Sequence, residues 1–193
     1  LTSSEIEVQE VTAPTYPSNW RKTQTITISY GHGIATSPVQ VANAFAAIVN
    51  GGIYRPATLV KRDPTAPLHD GDRVISEQTS IKVRNMLDYV VREGTGGNAD
   101  AQGYRVGGKT GTADKPSRGA YNEDARIATF LGAFPIEDPK YVLLVMVDEP
   151  IPQEHTYGYA TGGWVAAPAF KRIVERTAPM LGIEQILPAE ESD

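Results

Sequence analysis

The stretch Gly107-Gly108-Lys109-Thr110-Gly111-Thr112-Ala113 brings one cation, two hydroxyl groups and three glycines together in seven residues. We expect it to form part of a strand over residues 104–113. Side chains alternate between the two faces of a strand, so Thr110 and Thr112 would share a face. Gly111 between them removes a side chain and lets another molecule approach the backbone. Such a strand could bind a carboxylate with its hydroxyl and ammonium groups, and could offer a backbone N–H to an oxyanion.

Two other interpretations of this stretch compete with a binding strand. An isolated Lys-Thr-Gly recurs by chance in ordinary strands, with the lysine simply exposed. Residues 103–110 also fit the nucleotide-binding pattern G-x-x-x-x-G-K-T, and the apolar run 142–147 with Asp148-Glu149 resembles the acidic strand that accompanies it. That motif needs a helix directly after the loop. Gly111 and the Pro116-Ser117-Arg118-Gly119 segment disfavour a helix there, so the sequence argues against an ATPase.

The pattern of apolar residues on either side of the motif predicts an α+β fold, an antiparallel β-sheet covered by helices. Ser37 is a good N-cap and Pro38 a good first helical residue. The predicted helices cover residues 38–49, 76–93 and 164–181, and the predicted strands cover residues 25–30, 54–61, 104–113, 126–134 and 141–148. The last two strands would form a hairpin through residues 135–140.

The same pattern predicts which side chains are buried. In the first helix, Val41, Phe45 and Ile48 mark one apolar stripe. In the last helix the expected buried face consists of Ala166, Phe170, Ile173, Val174 and Leu181. Residues 142–147 are all apolar, and such a continuous run is typical of a strand buried on both faces.

Composition excludes several kinds of protein. The chain has 193 residues, which suits one globular domain or a large piece of one. A net charge of −5 argues against nucleic acid as a partner, because a phosphate-binding surface needs excess Lys and Arg. There is no cysteine, which rules out disulfides and thiolate chemistry. His32, His69 and His155 lack ligand-like spacing, so we expect neither a metal site nor a cofactor.

Beyond these general features, the sequence resembles the penicillin-binding proteins, and among them the class B division transpeptidases. Lys109-Thr110-Gly111-Thr112 matches the third of the three family motifs. Three further segments are similar to the family: Tyr30-Gly31-His32-Gly33 with Ser37-Pro38-Val39-Gln40-Val41-Ala42, Asn50-Gly51-Gly52-Ile53-Tyr54-Arg55-Pro56, and Gly162-Gly163-Trp164-Val165-Ala166-Ala167-Pro168-Ala169-Phe170. They occur in the family's order and span most of residues 26–183. The resemblance implies the penicillin-binding transpeptidase and serine β-lactamase-like fold.

The chain departs from the family in one respect, because the first two motifs are absent. The family places its nucleophile in Ser-x-x-Lys and a second serine in Ser-x-Asn. No serine here has Lys three residues on, and none has Asn two residues on. In the family both motifs lie well before the Lys-Thr-Gly strand, so we expect them upstream of Leu1. We therefore interpret residues 26–183 as the C-terminal half of a transpeptidase domain, inert alone, with a connecting segment at 1–25 and an acidic tail at 184–193.

The resemblance implies a peptidoglycan D,D-transpeptidase that cross-links stem peptides in septal cell-wall synthesis. A serine would attack the D-alanyl-D-alanine end, and an amine would resolve the acyl-enzyme. By the resemblance, Lys109 and Thr112 are catalytic: Lys109 helps proton transfer, and the Thr112 N–H donates to the oxyanion. Thr110 and Thr112 would bind the substrate carboxylate, and Gly111 would let the peptide lie along the strand. Alternatives of the same fold are a β-lactam sensor, a carboxypeptidase and a β-lactamase.

Further expectations concern partners and surroundings. Besides the stem peptide, the implied partners are β-lactam antibiotics, the N-terminal half of the same domain and membrane proteins of the division machinery. The implied location is the periplasmic face of the bacterial inner membrane, with the export signal and anchor upstream, since the chain starts with Leu1 and no apolar run approaches about 18 residues. Residues 114–124 could form a mobile lip over the site or a plain hairpin loop. Tyr157 and Tyr159 could wall the site or simply pack.

Overall fold

The computed structural model describes residues 6–63, 65–67, 70–117 and 120–186, and only the backbone of residues 116, 117 and 120–124. Its elements in chain order are helix α1 (Lys22–Ser29), helix α2 (Pro38–Val49), strand β1 (Ile53–Tyr54), strand β2 (Asp72–Arg73), helix α3 (Glu77–Glu93), strands β3 (Gly107–Ser117), β4 (Ala120–Phe134) and β5 (Tyr141–Asp148), and helix α4 (Ala166–Thr177). Two short 3₁₀ turns lie at Gly97–Ala99 and Glu154–Thr156. In the described part of the chain, no helix is both long and apolar enough to cross a bilayer.

The main sheet has three antiparallel strands in the order β3-β4-β5. Thr112 faces Ala128 across the first ladder, and Ala128 faces Val147 across the second. The predicted hairpin between β4 and β5 is confirmed. Within the described residues β3 forms one edge of this sheet, which leaves the outer side of the Lys-Thr-Gly strand without a neighbouring strand.

Two apolar clusters cover the two faces of the sheet. Alternation along β4 sends Phe130 and Phe134 to the α4 side, and Leu131 and Ala133 to the α2 side. On the α4 side the Phe130 and Phe170 rings meet edge to face, with centroids 4.8 Å apart. Helix α3 contributes to both clusters, through Val91 on the α4 side and Leu87 on the α2 side. The predicted α+β class, an antiparallel sheet covered by helices, is therefore confirmed.

Local signals at the helix starts explain where α2 and α3 begin. The Ser37 hydroxyl accepts a hydrogen bond from the Gln40 N–H at 3.3 Å, and the Gln40 side chain accepts one from the Ser37 N–H at 3.0 Å. Such a reciprocal box satisfies two of the free donors at a helix start. Ser76 accepts from the Thr79 N–H at 3.1 Å and caps α3 in the same way. Both predicted helices are confirmed.

Several predicted elements were wrong in type or extent. Residues 25–30 were predicted as a strand, but they fall largely in α1, where the Gln24 side chain accepts from the Arg21 N–H at 3.2 Å. Local capping prevails there, and among the described residues no strand pairs with this segment. Only Ile53–Tyr54 of the strand predicted at 54–61 is paired, with Asp72–Arg73. Pro56 has no N–H to give to a ladder, which is consistent with the early end.

Strand β3 begins and ends later than predicted. It starts at Gly107 rather than residue 104, and its pairing with β4 continues to Ser117. Residues 114–124 are therefore largely a paired extension of the β3–β4 ladder instead of a free loop, apart from residues 118–119, which lie outside the described residues. A register shift between Asp114 and Lys115 interrupts the ladder just beyond the motif.

Burial also differs from the prediction at three places. None of the β5 residues is fully buried, and Met146 is 49% exposed, because β5 lies at the other edge of the sheet. In α4, Ala166, Phe170 and Val174 are buried, but Ile173 is exposed, and Leu181 lies beyond the helix and is also exposed. In α2 the buried positions are Phe45, Ala47 and Val49, whereas Val41 is exposed.

Candidate active site

The edge strand β3 holds all four predicted site residues at consecutive positions. Lys109 and Thr112 are exposed, and Thr110 and Gly111 are half-buried. Thr110 and Thr112 both turn toward the α4 side of the sheet. The Thr112 hydroxyl accepts a hydrogen bond from the Gly162 N–H at 3.1 Å, and the Thr110 hydroxyl lies 3.2 Å from that of Thr95. The strand alternation that predicted a shared face for the two threonines is confirmed.

The Lys109 ammonium group lies beside the Thr110 hydroxyl. Its Nζ donates to the Thr110 carbonyl oxygen at 2.8 Å and approaches the Thr110 Oγ1 at 3.4 Å. A lysine ammonium has three donors, so these contacts leave room for another acceptor. A cation with two hydroxyls on one strand edge suits a carboxylate ligand, because charge-assisted hydrogen bonds are the stronger ones.

Gly111 and Gly162 allow two backbones to come together at this point. A Cβ atom at Gly111 would lie 2.4 Å from the Thr129 Oγ1. A Cβ atom at Gly162 would lie 2.3 Å from the Thr129 carbonyl oxygen and 2.6 Å from that of Gly111. The segment leading into α4 is thus pressed against the β3–β4 pair that carries the motif. Space requires glycine at position 162, where a Cβ atom would meet backbone oxygens, whereas at Gly111 a Cβ atom would meet a side-chain oxygen.

Residues of the connection between α3 and β3 hold the segment that leads into α4 in place. The Asn98 Nδ2 donates to the Gly163 carbonyl oxygen at 2.9 Å, and a Cβ atom at Gly163 would lie 2.7 Å from the Thr95 carbonyl oxygen. Thr95 and Asn98 both belong to the connection between α3 and β3. The wall of the site is therefore built from two connections, one before β3 and one before α4.

Three aromatic rings pack together in the segment that contains Gly162. The Tyr159 ring stacks on Trp164 with centroids 5.8 Å apart, and the Tyr157 ring meets Trp164 edge to face at 5.4 Å. Tyr157 is 77% exposed and adopts a left-handed backbone conformation with φ 52°. The two tyrosines pack on Trp164 while remaining open to solvent, which agrees with the packing interpretation. That they wall the site stays a prediction.

Beyond Thr112 the strand carries a charged network. The Lys115 Nζ contacts Asp148 Oδ1 at 3.0 Å and Glu149 Oε1 at 2.7 Å. These hydrogen bonds, first to Glu149 and then to Asp148, raise the pKa of Lys115. Next to it, the Arg126 Nε donates to Asp114 Oδ1 at 2.9 Å across the β3–β4 ladder.

The nucleotide-binding interpretation does not fit this geometry. Residues 107–110 are already paired in β3, and the chain stays extended to Ser117. No helix start follows the Lys-Thr pair to present its N–H groups to a phosphate. The ATPase alternative was therefore wrong.

Sequence reasoning missed several residues that shape the site, namely Thr95, Asn98, Thr129 and the contact made by Gly162. Gly162 was part of the resemblance but carried no predicted role. Glycines in pairs, such as Gly162-Gly163 and Gly96-Gly97, were the available signal for close backbone approach. Thr95 and Asn98 gave no local signal, because their roles depend on the α3–β3 connection folding toward α4.

The chain is similar to known proteins over most of its length. The family model for the penicillin binding protein transpeptidase domain matches residues 3–175. The probable peptidoglycan D,D-transpeptidase FtsI of Caulobacter vibrioides is 38% identical over 191 residues, covering 94% of this chain and 32% of that protein. The transpeptidase domain of Burkholderia pseudomallei penicillin-binding protein 3 is 38% identical, with a TM-score of 0.84, over 95% of this chain and 55% of that one.

A third similar protein was solved with a drug. Penicillin-binding protein 3 of Mycobacterium tuberculosis, complexed with aztreonam, is 29% identical with a TM-score of 0.77, over 92% of this chain and 43% of that one. The chain belongs to the penicillin-binding protein transpeptidase domain family. It spans about a third of the length of the FtsI protein that it matches.

Proposed function

We propose that this chain is the C-terminal half of the catalytic domain of a peptidoglycan D,D-transpeptidase that acts in septal cell-wall synthesis. The observation that carries the proposal is the open edge of β3, which exposes Lys109 and Thr112 beside Thr110. Support comes from the FtsI relative, whose name describes this activity. The division into a connecting segment at 1–25, a domain half at 26–183 and a tail at 184–193 is part of the same proposal.

The edge of β3 would receive the stem peptide as an added strand. Backbone groups on the outer side of an edge strand are free to pair with an extended peptide, which gives affinity without a side-chain code. The terminal carboxylate would lie against the Thr110 and Thr112 hydroxyls, with Lys109 supplying the positive charge. Gly111 keeps the backbone accessible between them.

Chemistry would need a serine that this half does not supply. The serine oxygen would attack the carbonyl carbon of the penultimate D-alanine, and the N–H of Thr112 would donate to the oxyanion. The bond to the terminal D-alanine then breaks, and that residue leaves as a free amino acid with the proton passed to its amine, near Lys109. An amine of a second stem peptide then attacks the ester carbonyl carbon, and the bond to the serine oxygen breaks as that oxygen takes the amine proton. The new amide is the cross-link. One oxyanion donor lost typically costs about 3 kcal/mol of barrier.

β-Lactam antibiotics would bind at the same edge. The relative from Mycobacterium tuberculosis was solved with aztreonam, a member of this class. A β-lactam carries an anionic group next to its lactam nitrogen and an electrophilic carbonyl carbon, as the peptide end does, so Lys109, Thr110 and Thr112 would contact it in the same way. The lactam C–N bond would open as the serine ester forms.

The proposal extends to location and partners. A septal transpeptidase acts on the periplasmic face of the bacterial inner membrane, where the peptidoglycan substrate lies. Membrane proteins of the division machinery and the N-terminal half of the same domain would be its protein partners. Nothing in the net charge of −5 favours nucleic acid.

Intact mass after incubation with benzylpenicillin tests the proposal. The measurement compares this chain with a version extended through the preceding part of its gene. We expect one covalent adduct on the extended version only. An adduct on this chain would show that one of its own serines is the nucleophile, against the proposed division of the site. No adduct on either version would contradict the transpeptidase activity.

A paired substitution tests the role of the edge. In the extended version, Lys109→Ala should slow acylation by about a hundredfold or more, because proton transfer and charge stabilisation both depend on that ammonium group. Lys171→Ala is the matched control, since Lys171 forms only an i,i+4 pair with Glu175 on α4. Equal acylation rates in the two variants would remove Lys109 from the mechanism.

A further inference from the structure

We propose that Lys115 is a positioning residue for the β3 edge, and this inference rests on the proposed function. It lies three residues after Thr112, at the register shift between Asp114 and Lys115. Its side chain reaches past β4 to the end of β5, where it binds Asp148 and Glu149. Lys115 thereby joins the motif strand to the point where the chain leaves the sheet.

Glu149, one of the two carboxylates that Lys115 binds, has an unusual backbone conformation. It adopts a left-handed backbone conformation with φ 49°, which is uncommon for a residue with a side chain. Its N–H donates to the Arg126 carbonyl oxygen at 2.8 Å, and its carboxylate accepts from Lys115 at 2.7 Å. Two contacts therefore hold a strained turn, and strained backbone persists only where its surroundings over-determine it.

The strained turn starts the segment of residues 149–165, which comes back to the same strand. At the far end of this segment, the Gly162 N–H donates to the Thr112 hydroxyl at 3.1 Å. The segment is thus attached to β3 at two positions three residues apart: through Glu149 at Lys115 and through Gly162 at Thr112. Moving one attachment would shift the other, and with it the proposed carboxylate-binding hydroxyl.

The Lys115 contacts should affect the geometry of the site more than the free energy of unfolding. The Lys115 side chain is 32% exposed and both carboxylates are more than half exposed. Exposed ion pairs contribute little to the free energy of unfolding. A displacement of about 1 Å at a reacting centre can nevertheless cost about a hundredfold in rate. Loss of Lys115 should therefore slow acylation while leaving the melting temperature nearly unchanged.

The test uses the full-length protein that contains this chain, with a fluorescent penicillin and the second-order acylation rate as the readout. We expect Lys115→Met to lower that rate about tenfold, and Lys115→Arg to recover most of it, because arginine can still pair with both carboxylates. Lys140→Met is the matched control, since Lys140 pairs with Asp138 in the β4–β5 turn, away from the motif. It should acylate at the wild-type rate.

A second readout does not depend on acylation. Hydrogen exchange of the backbone amides of residues 149–162 should become faster in Lys115→Met and remain unchanged in Lys140→Met. Glu149→Gln combined with Lys115→Met should be no slower in acylation than Lys115→Met alone, because both changes break the same contact.

The outcomes separate this inference from the proposed function. If the wild-type protein is acylated and Lys115→Met is acylated at the same rate, the inference about Lys115 is overturned and the proposed transpeptidase function is unaffected. A large fall in melting temperature that Lys115→Arg does not restore also overturns it, since Lys115 would then be needed for folding. A wild-type protein that takes no adduct contradicts the proposed function, and unchanged hydrogen exchange at 149–162 would still decide against Lys115 independently.

Discussion

Gly162 is the single residue on which the wall of the site depends most directly. It is buried, and even one added methyl group would meet the Thr129 carbonyl oxygen at 2.3 Å. That oxygen belongs to a strand paired on both sides, so it cannot easily move away. The neighbouring Gly111 carbonyl oxygen leaves no space on the other side.

We predict that Gly162→Ala destabilises the domain by about 1–3 kcal/mol, as overpacking typically does, and slows acylation by displacing the Thr112 contact. Thermal melting and the acylation rate of the longer protein measure the two effects. Gly97→Ala is the control, because a Cβ atom there would meet nothing closer than 3.7 Å. If Gly162→Ala melts and is acylated like the wild type, the segment that leads into α4 can move away from β4 without affecting the site.

A second prediction concerns the Thr112 hydroxyl. Thr112→Val keeps the shape of the side chain but removes the acceptor for the buried Gly162 N–H. An unsatisfied buried donor costs about 1–3 kcal/mol, so melting temperature and acylation rate should both fall. Thr112→Ser retains the hydroxyl and should remain close to wild type in both. If valine and serine behave alike, the hydroxyl has no role in either property.

For single residues, the sequence predicted only relations between neighbours along the chain. The shared face of Thr110 and Thr112 follows from strand alternation alone and was confirmed. The roles assigned to Lys109, Thr110, Gly111 and Thr112 stay predictions until the substitutions are made. Thr95 could not be predicted, because its hydroxyl meets Thr110 only after the chain between α3 and β3 folds back.

Among the elements, the first described residues are attached to the loop after β1 through one carboxylate. Glu7 accepts from the Thr58 hydroxyl at 2.6 Å and from the Leu59 N–H at 2.9 Å. The Thr58 contact, followed by the Leu59 contact, lowers the pKa of Glu7 below its ordinary 4.5. A lowered carboxyl pKa stabilises the folded state above the unfolded value, and this stabilisation is lost as pH falls through the folded value.

We therefore predict that Glu7→Gln lowers the melting temperature at pH 7, and that its difference from wild type shrinks as the pH falls below about 4.5. At low pH the protonated carboxyl group resembles the amide, so the two proteins converge. Thermal melts of the longer protein across pH 3 to 7 measure this difference. A difference that grows toward low pH would contradict the sign of the shift.

The elements themselves were predicted unevenly, for physical reasons. Helices α2 and α3 were predicted well because Ser37 and Ser76 are local caps that act wherever the chain goes. Strand β5 was expected to be buried on both faces because its residues are apolar, but burial depends on which strands lie beside it. Helix α1 was mistaken for a strand because alternating Thr and Ile suggest a sheet, whereas in the described part of the chain no strand pairs with it.

For the molecule as a whole, the described surface carries many large apolar side chains. Met180 is 84% exposed, Ile151 76% and Leu59 66%. Large exposed apolar surface commonly marks a place where another protein surface packs. Under the proposed function, the N-terminal half of the domain is the natural candidate for part of this cover.

We predict that this chain alone binds the dye 1-anilinonaphthalene-8-sulfonate and self-associates, while the longer protein does so much less. Dye fluorescence and light scattering at matched concentrations measure the two properties. Comparison at several concentrations controls for scattering that arises from handling alone. A monodisperse monomer of this chain, without dye binding, would show that its surface needs no cover.

The open outer side of β3 also bears on selectivity. A ligand that adds to a strand edge is recognised through its main-chain amides, which every peptide has, and therefore not through the identity of most of its residues. Under the proposed function, discrimination would fall on the end of the ligand, where Thr110 and Thr112 would bind its carboxylate. Bacteria that vary the interior residues of their stem peptides could then share one unchanged enzyme surface, while amidation of the terminal carboxyl group would defeat it.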